Sequence, residues 1–202
     1  PTESASFRAR SLAVENGVIR VTGLPVDRAF LDGGASTSAP GARPFTVLVS
    51  GGGAGVGPLL RQAKALLSSF DDVRVVLVCG RNSRLRRRAM RFARRYPDRL
   101  DVRGFVDGMA DLVRSVDVVA AKAGPGTIAE AVSCGTPLVL TGAIPGQERS
   151  NVDEVVRRGV GTFAPTMAEL VEEVRRLKDE PGHHLDRRTA ALRWEGADGP
   201  GR

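Results

Sequence analysis

The residues Lys122-Ala-Gly-Pro-Gly-Thr-Ile-Ala-Glu130 bring an ammonium, two glycines, a hydroxyl and a carboxylate into one short run. Glycines let backbone N–H groups turn toward an anion without interference from a Cβ, and a helix opening behind them adds a favourable partial charge. With a helix starting here, the N–H groups around Gly126 and Thr127 would face a diphosphate, with Lys122 and Gly124 at its edge. Glu130, one turn further on, could accept hydrogen bonds from the vicinal hydroxyls of a ribose. The same spacing, Thr127 followed three residues later by Glu130, also satisfies a capping box, in which the two residues serve only each other's backbone. Spacing alone leaves both readings open.

A second loop, Ser50-Gly-Gly-Gly-Ala-Gly-Val-Gly-Pro58, follows an apolar strand-length run and precedes a helical pattern that Pro58 can start. It is a tight strand-to-helix turn or an anion cradle. It has no G-x-G-x-x-G register and no Gly-Lys-Ser/Thr, which counts against a dinucleotide dehydrogenase and a P-loop NTPase. The next strand ends in Cys79-Gly-Arg-Asn82, without the acidic residue that would hold an NAD ribose. A third segment, Ile144-Pro-Gly-Gln-Glu-Arg-Ser-Asn151, places Gln147 and Asn151 four apart on one face of a helix expected from 148. With Glu148 they offer donors and acceptors for sugar hydroxyls, or simply make a polar helix start. No His/Asp/Glu set has metal-ligand spacing, so neither a metal nor a cofactor is expected.

These loops need a scaffold. From Phe45, β-branched runs at 45–50, 73–79, 100–104, 117–121, 137–141 and 160–163 alternate with helical patterns at 58–70, 83–96, 107–115, 127–134, 148–158 and 166–178. That alternation predicts an α/β domain over 45–180 with a Rossmann-like, doubly wound parallel sheet, whose ligands bind outside the carboxyl ends of the strands. Both glycine loops fall on that edge. Residues 31–44 read as a Gly/Ala/Ser/Pro linker. The first 30, with a strand at 18–22, read as the remnant of a preceding domain, and 181–202 as a loose tail with a short helix near 187–194. The start at Pro1, without Met or signal segment, reads as a cut.

No run approaches the ~18 apolar residues of a membrane span. Cys79 and Cys134 lie singly in apolar runs, which favours buried thiols and a reducing, cytoplasmic setting. The formal charge of +7 would attract phosphates or anionic lipid, but one Trp and one Tyr give no stacking platform for single-stranded nucleic acid, and no nucleic-acid partner is expected.

Taken together, Val21-Thr-Gly-Leu-Pro-Val26, Gly51-Gly-Gly-Ala-Gly-Val-Gly57, Cys79-Gly-Arg-Asn82, Gly104-Phe-Val-Asp-Gly-Met109, Lys122 to Glu130 and Pro145-Gly-Gln-Glu-Arg-Ser-Asn151 resemble, in order, the C-terminal domain of family 28 glycosyltransferases of the GT-B fold. The branch most similar is that of monogalactosyldiacylglycerol synthases and processive diacylglycerol glucosyltransferases, with MurG more distant. The resemblance implies a UDP-sugar donor in this domain and a lipid acceptor held by a separate N-terminal domain that would also carry the general base. By position it implies Phe105 and Val106 beside the uracil and Glu130 on the ribose. Gly126, Thr127, Gly52 and Gly53 would lie at the phosphates, Asn82 in the same cleft, and Gln147, Glu148 and Asn151 facing the hexose. Alternatives are a MurG-like N-acetylglucosaminyl donor domain, a non-catalytic nucleotide-sugar-binding module, and a hydrolysing epimerase on the same fold.

The departing UDP needs its charge stabilised, which the helix N-termini, with Arg81 or Lys122, would do without metal. His183 and His184, the only histidines, fall in the expected tail and read as surface residues. The helix from Ser83 to Tyr96 carries Arg84, Arg87, Arg88, Arg91, Arg94 and Arg95 around an apolar stripe. It is either a solvated covering helix or a face drawn to an anionic membrane, which would make the protein peripheral at the inner face of the cell membrane.

Overall fold

The computed structural model describes residues 25–33 and 43–194. The strand expected at 18–22, most of the linker and the extreme C-terminus lie outside these. The described chain runs α1 (Ala29–Asp32), β1 (Phe45–Ser50), α2 (Leu59–Ser69), β2 (Val73–Val78), α3 (Ser83–Ala93), β3 (Leu100–Arg103), α4 (Met109–Arg114), β4 (Val118–Lys122), α5 (Pro125–Ser133), β5 (Leu138–Gly142), α6 (Arg149–Arg157), β6 (Gly161–Phe163), α7 (Met167–Asp179) and α8 (Pro181–Leu192).

All six strands pair in parallel in the order β3-β2-β1-β4-β5-β6, as expected of a doubly wound sheet. Each strand start and end lies within one residue of its expected position. The β-branched runs are continuous, not alternating, because both faces are covered. Val47, Val49, Val75 and Leu77 point into a core with Leu66 of α2, Ala89 of α3 and Leu170 of α7. Leu48, Val76, Val119 and Leu140 point into the opposite core with Leu112 of α4, Ile128 of α5 and Val152 of α6.

Two parts of the sequence reading are corrected. The expected linker starts too early: Leu31 and Asp32 belong to α1, whose Phe30 is buried against the α4 and α5 side of the sheet. The first part of the expected loose tail is α8, a 12-residue helix that Pro181 opens in its first turn and that extends the short helix expected near 187–194 toward the N-terminus. Only His184 and Ala191 are buried along it, so its sequence shows little apolar period, and Pro-Gly-His-His reads as a break. His183 and His184 are therefore not surface residues. His184 lies edge-on to Phe45 at 5.9 Å, and its Nε2 is 2.9 Å from the Asp117 carbonyl oxygen. Nε2 of His183 is 3.1 Å from the buried Glu173. Because Phe45 opens β1 and Asp117 immediately precedes β4, α8 closes the amino edge of the sheet, opposite the two glycine loops.

An His184→Ala substitution is expected to lower the unfolding free energy by roughly 1–3 kcal/mol, since it leaves the Asp117 carbonyl unpaired and opens a gap against Phe45. Urea unfolding followed by circular dichroism measures it. A loose tail would give no change.

Candidate functional site

β1 pairs with β2 on one side and β4 on the other, so the chain leaves β1 and β4 toward opposite faces and a crevice opens at their carboxyl ends. The glycine loop after β1 forms one wall. It bends back so closely that a Cβ on Gly51 would lie 2.2 Å from the Val56 carbonyl oxygen. Gly55, at φ +60°, packs on the loop after β2, where a Cβ would meet the Cys79 carbonyl oxygen at 2.0 Å. Gly80 reciprocates at φ +55°, backed by Gly53, whose carbonyl also accepts from the Arg81 N–H at 2.8 Å. Gly52, at φ +68°, has open space where its Cβ would be.

The opposite wall is the turn from β4 into α5. Here the capping box does not form. Gly124 is the N-cap, Pro125 takes the first turn, and no side chain caps the helix. Thr127 is thus inside the helix. A capping box does form at α7, where Thr166 and Glu169 bond each other's backbone N–H, at 3.2 and 2.9 Å. The difference is Pro125: its fixed φ and missing N–H draw the helix start two residues ahead of Thr127. Glu130 is half-buried, has no hydrogen-bond or ion-pair partner among the described residues, and is pushed above the usual carboxylate range by burial.

The crevice between these walls encloses about 490 Å³. Gly52, Gly53, Phe105, Val106, Lys122, Gly124, Gly126, Thr127 and Glu130 all line it. Phe105 is 52% exposed, and the Arg81 guanidinium lies over its ring at 4.6 Å from the centroid. At Gly126 an added Cβ would meet nothing within 4 Å, so the helix opens directly onto the space.

Four expected site residues lie elsewhere. Asn82 does not line the crevice. Its Oδ1 caps α3 by accepting from the Leu85 N–H at 2.9 Å, and its amide donates to the Gly55 carbonyl at 3.3 Å, so it ties the two loops together. Gln147 and Asn151 do not share a helix face, because α6 begins at Arg149 and Gln147 is exposed in the preceding turn. Asn151 instead donates to the Ala123 carbonyl at 2.9 Å. Glu148 is 5% exposed, pairs with Lys122 Nζ at 2.5 Å and accepts from the Ile144 N–H at 2.9 Å. It lines a neighbouring cavity of about 170 Å³ that shares Val56 and Lys122 with the crevice. A polar residue at a helix start supports its own turn as readily as it faces a ligand, and spacing does not distinguish the two.

Ser50 and Met109 also line the crevice. Each is an end residue of a segment singled out above, Ser50 to Pro58 and Gly104 to Met109. Among the described residues no group of three or more His, Cys, Asp or Glu side chains is placed to hold a metal, and no helix is long and apolar enough to cross a membrane. Burial pushes both cysteine thiols up to about 11, leaving them protonated at neutral pH.

Residues 46–191 match the family model described as the glycosyltransferase family 28 C-terminal domain. The chain is 34% identical over 188 residues to monogalactosyldiacylglycerol synthase 1, chloroplastic, of Arabidopsis thaliana, which covers 84% of this chain and 34% of that protein. It is 36% identical over 189 residues to the probable monogalactosyldiacylglycerol synthase 2, chloroplastic, of Oryza sativa subsp. japonica, with 87% and 40% covered. The chain thus spans between a third and two-fifths of the length of these relatives. Among solved structures, the UDP co-structure of S. aureus MnaA superposes with a TM-score of 0.72 at 18% identity, covering all of this chain and 54% of that one. Acinetobacter baumannii MurG gives 0.65 at 17%, covering 79% and 51%. At these identities the structures show a shared fold.

Because the folded state holds the Glu130 proton more tightly than the unfolded chain does, stability falls as pH rises from the ordinary glutamate range through the raised folded value. Glu130→Gln removes that decline. The variant is expected to melt above the parent at pH 8, with the difference shrinking as pH falls toward 4. Thermal melts of both proteins across that range check it, and a pH-independent difference would contradict it.

Proposed function

The chain belongs to the family of glycosyltransferase family 28 C-terminal domains, and on that footing we propose that its crevice holds the UDP part of a nucleotide-sugar donor for transfer to a lipid. The observation that carries the reading is the unpartnered, half-buried Glu130 carboxylate, one turn into a helix whose uncapped N-terminus opens on the same space. Burying a carboxylate without a partner costs stability, and the vicinal hydroxyls of a ribose are donors that would offset the cost. The N–H groups of the first turn of α5 and the loop of Gly52 and Gly53, open at Gly52, serve the diphosphate. Phe105 and Val106 lie on the crevice wall where the base would pack.

In the proposed reaction the acceptor hydroxyl attacks the anomeric carbon of the sugar, its proton passes to a general base, and UDP leaves with the bonding pair of the broken C–O bond. These residues supply the leaving-group half. The α5 N-terminus stabilises the growing phosphate charge, while Lys122, which lines the same crevice, is held by Glu148. The resemblance to the family assigns the base and the acceptor site to a separate N-terminal domain, and both histidines of this chain lie at the other edge of the sheet. The relatives are named as monogalactosyldiacylglycerol synthases, which supports diacylglycerol as the acceptor.

Calorimetric titration with UDP, UDP-glucose, UDP-galactose and UDP-N-acetylglucosamine tests the donor site. UDP is expected to bind at one site per chain, and Glu130→Ala to weaken it by about 10- to 100-fold, as expected from losing a charged hydrogen-bond acceptor. No binding of any of the four overturns the reading. The 202 residues alone are expected to show no transfer to diacylglycerol, and robust transfer would contradict the placement of the base.

A further inference from the structure

Gln62 lies on the buried face of α2 with Ala63 and Leu66 and is 1% exposed. Its amide makes no hydrogen bond among the described residues, and Oε1 is fully enclosed without a partner. An unpaired buried amide is costly, and any group able to pair with it relieves the cost. Gln62 lines the cavity of about 170 Å³ beside the crevice, together with Pro58, Thr141, Ile144 and the Lys122–Glu148 pair. Val56 and Lys122 wall both spaces, so the smaller one adjoins the crevice that the diphosphate would occupy.

The chemistry of that cavity narrows its occupant. Lys122 and Glu148 neutralise each other at 2.5 Å, so the walls offer hydrogen-bonding groups with no net charge, which disfavours a further phosphate. The volume corresponds to about five or six water molecules, room for a single six-membered polyol ring and not for a nucleoside. We infer that Gln62, from inside α2, reads a hydroxyl of the sugar half of the donor, and so contributes to the choice of hexose. This rests on the UDP reading of the crevice.

Gln62→Met keeps the length of the side chain and removes the amide. Dissociation constants for UDP and for UDP-galactose or UDP-glucose, whichever the parent binds more tightly, separate the two claims. The variant is expected to bind UDP as the parent does, while its affinity for the UDP-hexose falls about tenfold, the loss of one buried hydrogen bond. Its ligand-free melting temperature is expected to rise, because the unpaired amide is gone. If the folded variant keeps the parent's ratio of UDP-hexose to UDP affinity, Gln62 takes no part in holding the sugar and the inference fails. Equal losses for both ligands would place Gln62 in the packing of α2 and also overturn it. If the parent binds no UDP, the crevice reading falls, and this inference with it.

Discussion

The close contact of two backbone loops, with no side chain between them, governs the whole carboxyl edge of the sheet. Gly55 lies on the Cys79 carbonyl and Gly80 on the Gly53 carbonyl, at distances that any Cβ would violate, and both glycines take the left-handed conformation that other residues adopt with strain. This contact holds the first glycine loop back toward β2, away from α5. The crevice between β1 and β4 stays open as a result, and α2 starts beside the neighbouring cavity. Asn82 reinforces the contact from the side, bonding Gly55 while capping α3. Its role is to hold the wall, and the helix cap and the loop tie come from one side chain.

Across the crevice, the charges are arranged unevenly. Glu148 has an ammonium and a backbone N–H to balance it, whereas Glu130, a carboxylate on the preceding helix α5, has neither. Proteins rarely leave a half-buried carboxylate unserved unless its position has another use, and unmatched groups of this kind concentrate at functional sites. Pro125 creates the asymmetry. By starting α5 early it removes Thr127 from the cap position and with it the partner that Glu130 would otherwise take.

The architecture was legible because it depends on period: continuous β-branched runs such as Val73–Val78 between amphipathic helices admit one arrangement when both sheet faces are covered. The two loops were legible for the same reason, since the strand order sends their ends to one edge. What the residues alone left open was local. Thr127 and Glu130 fit a capping box on spacing, and only the Pro125-driven helix start decides against it. Gln147, Glu148 and Asn151 fit a sugar-facing helix on spacing, but the helix begins two residues after Gln147, and Glu148 and Asn151 are used by the backbone around them. Only the second half of helix α8 was legible, as the short helix near 187–194, because His184 and Ala191 are its only buried residues and leave little apolar stripe to read. Gln62 gave no signal at all: a glutamine in an amphipathic helix reads as its solvent side, and only its burial singles it out.

The central claim is that the ribose of UDP is held by Glu130 across from the Gly52–Gly53 loop. A crystal structure of this chain with UDP tests it most directly. The expected result is nucleotide density in the crevice between β1 and β4, with both ribose hydroxyls within hydrogen-bonding distance of the Glu130 carboxylate and the diphosphate at the first turn of α5. Density for UDP at another edge of the sheet, or in the crevice with Glu130 turned away from the ribose, would contradict it.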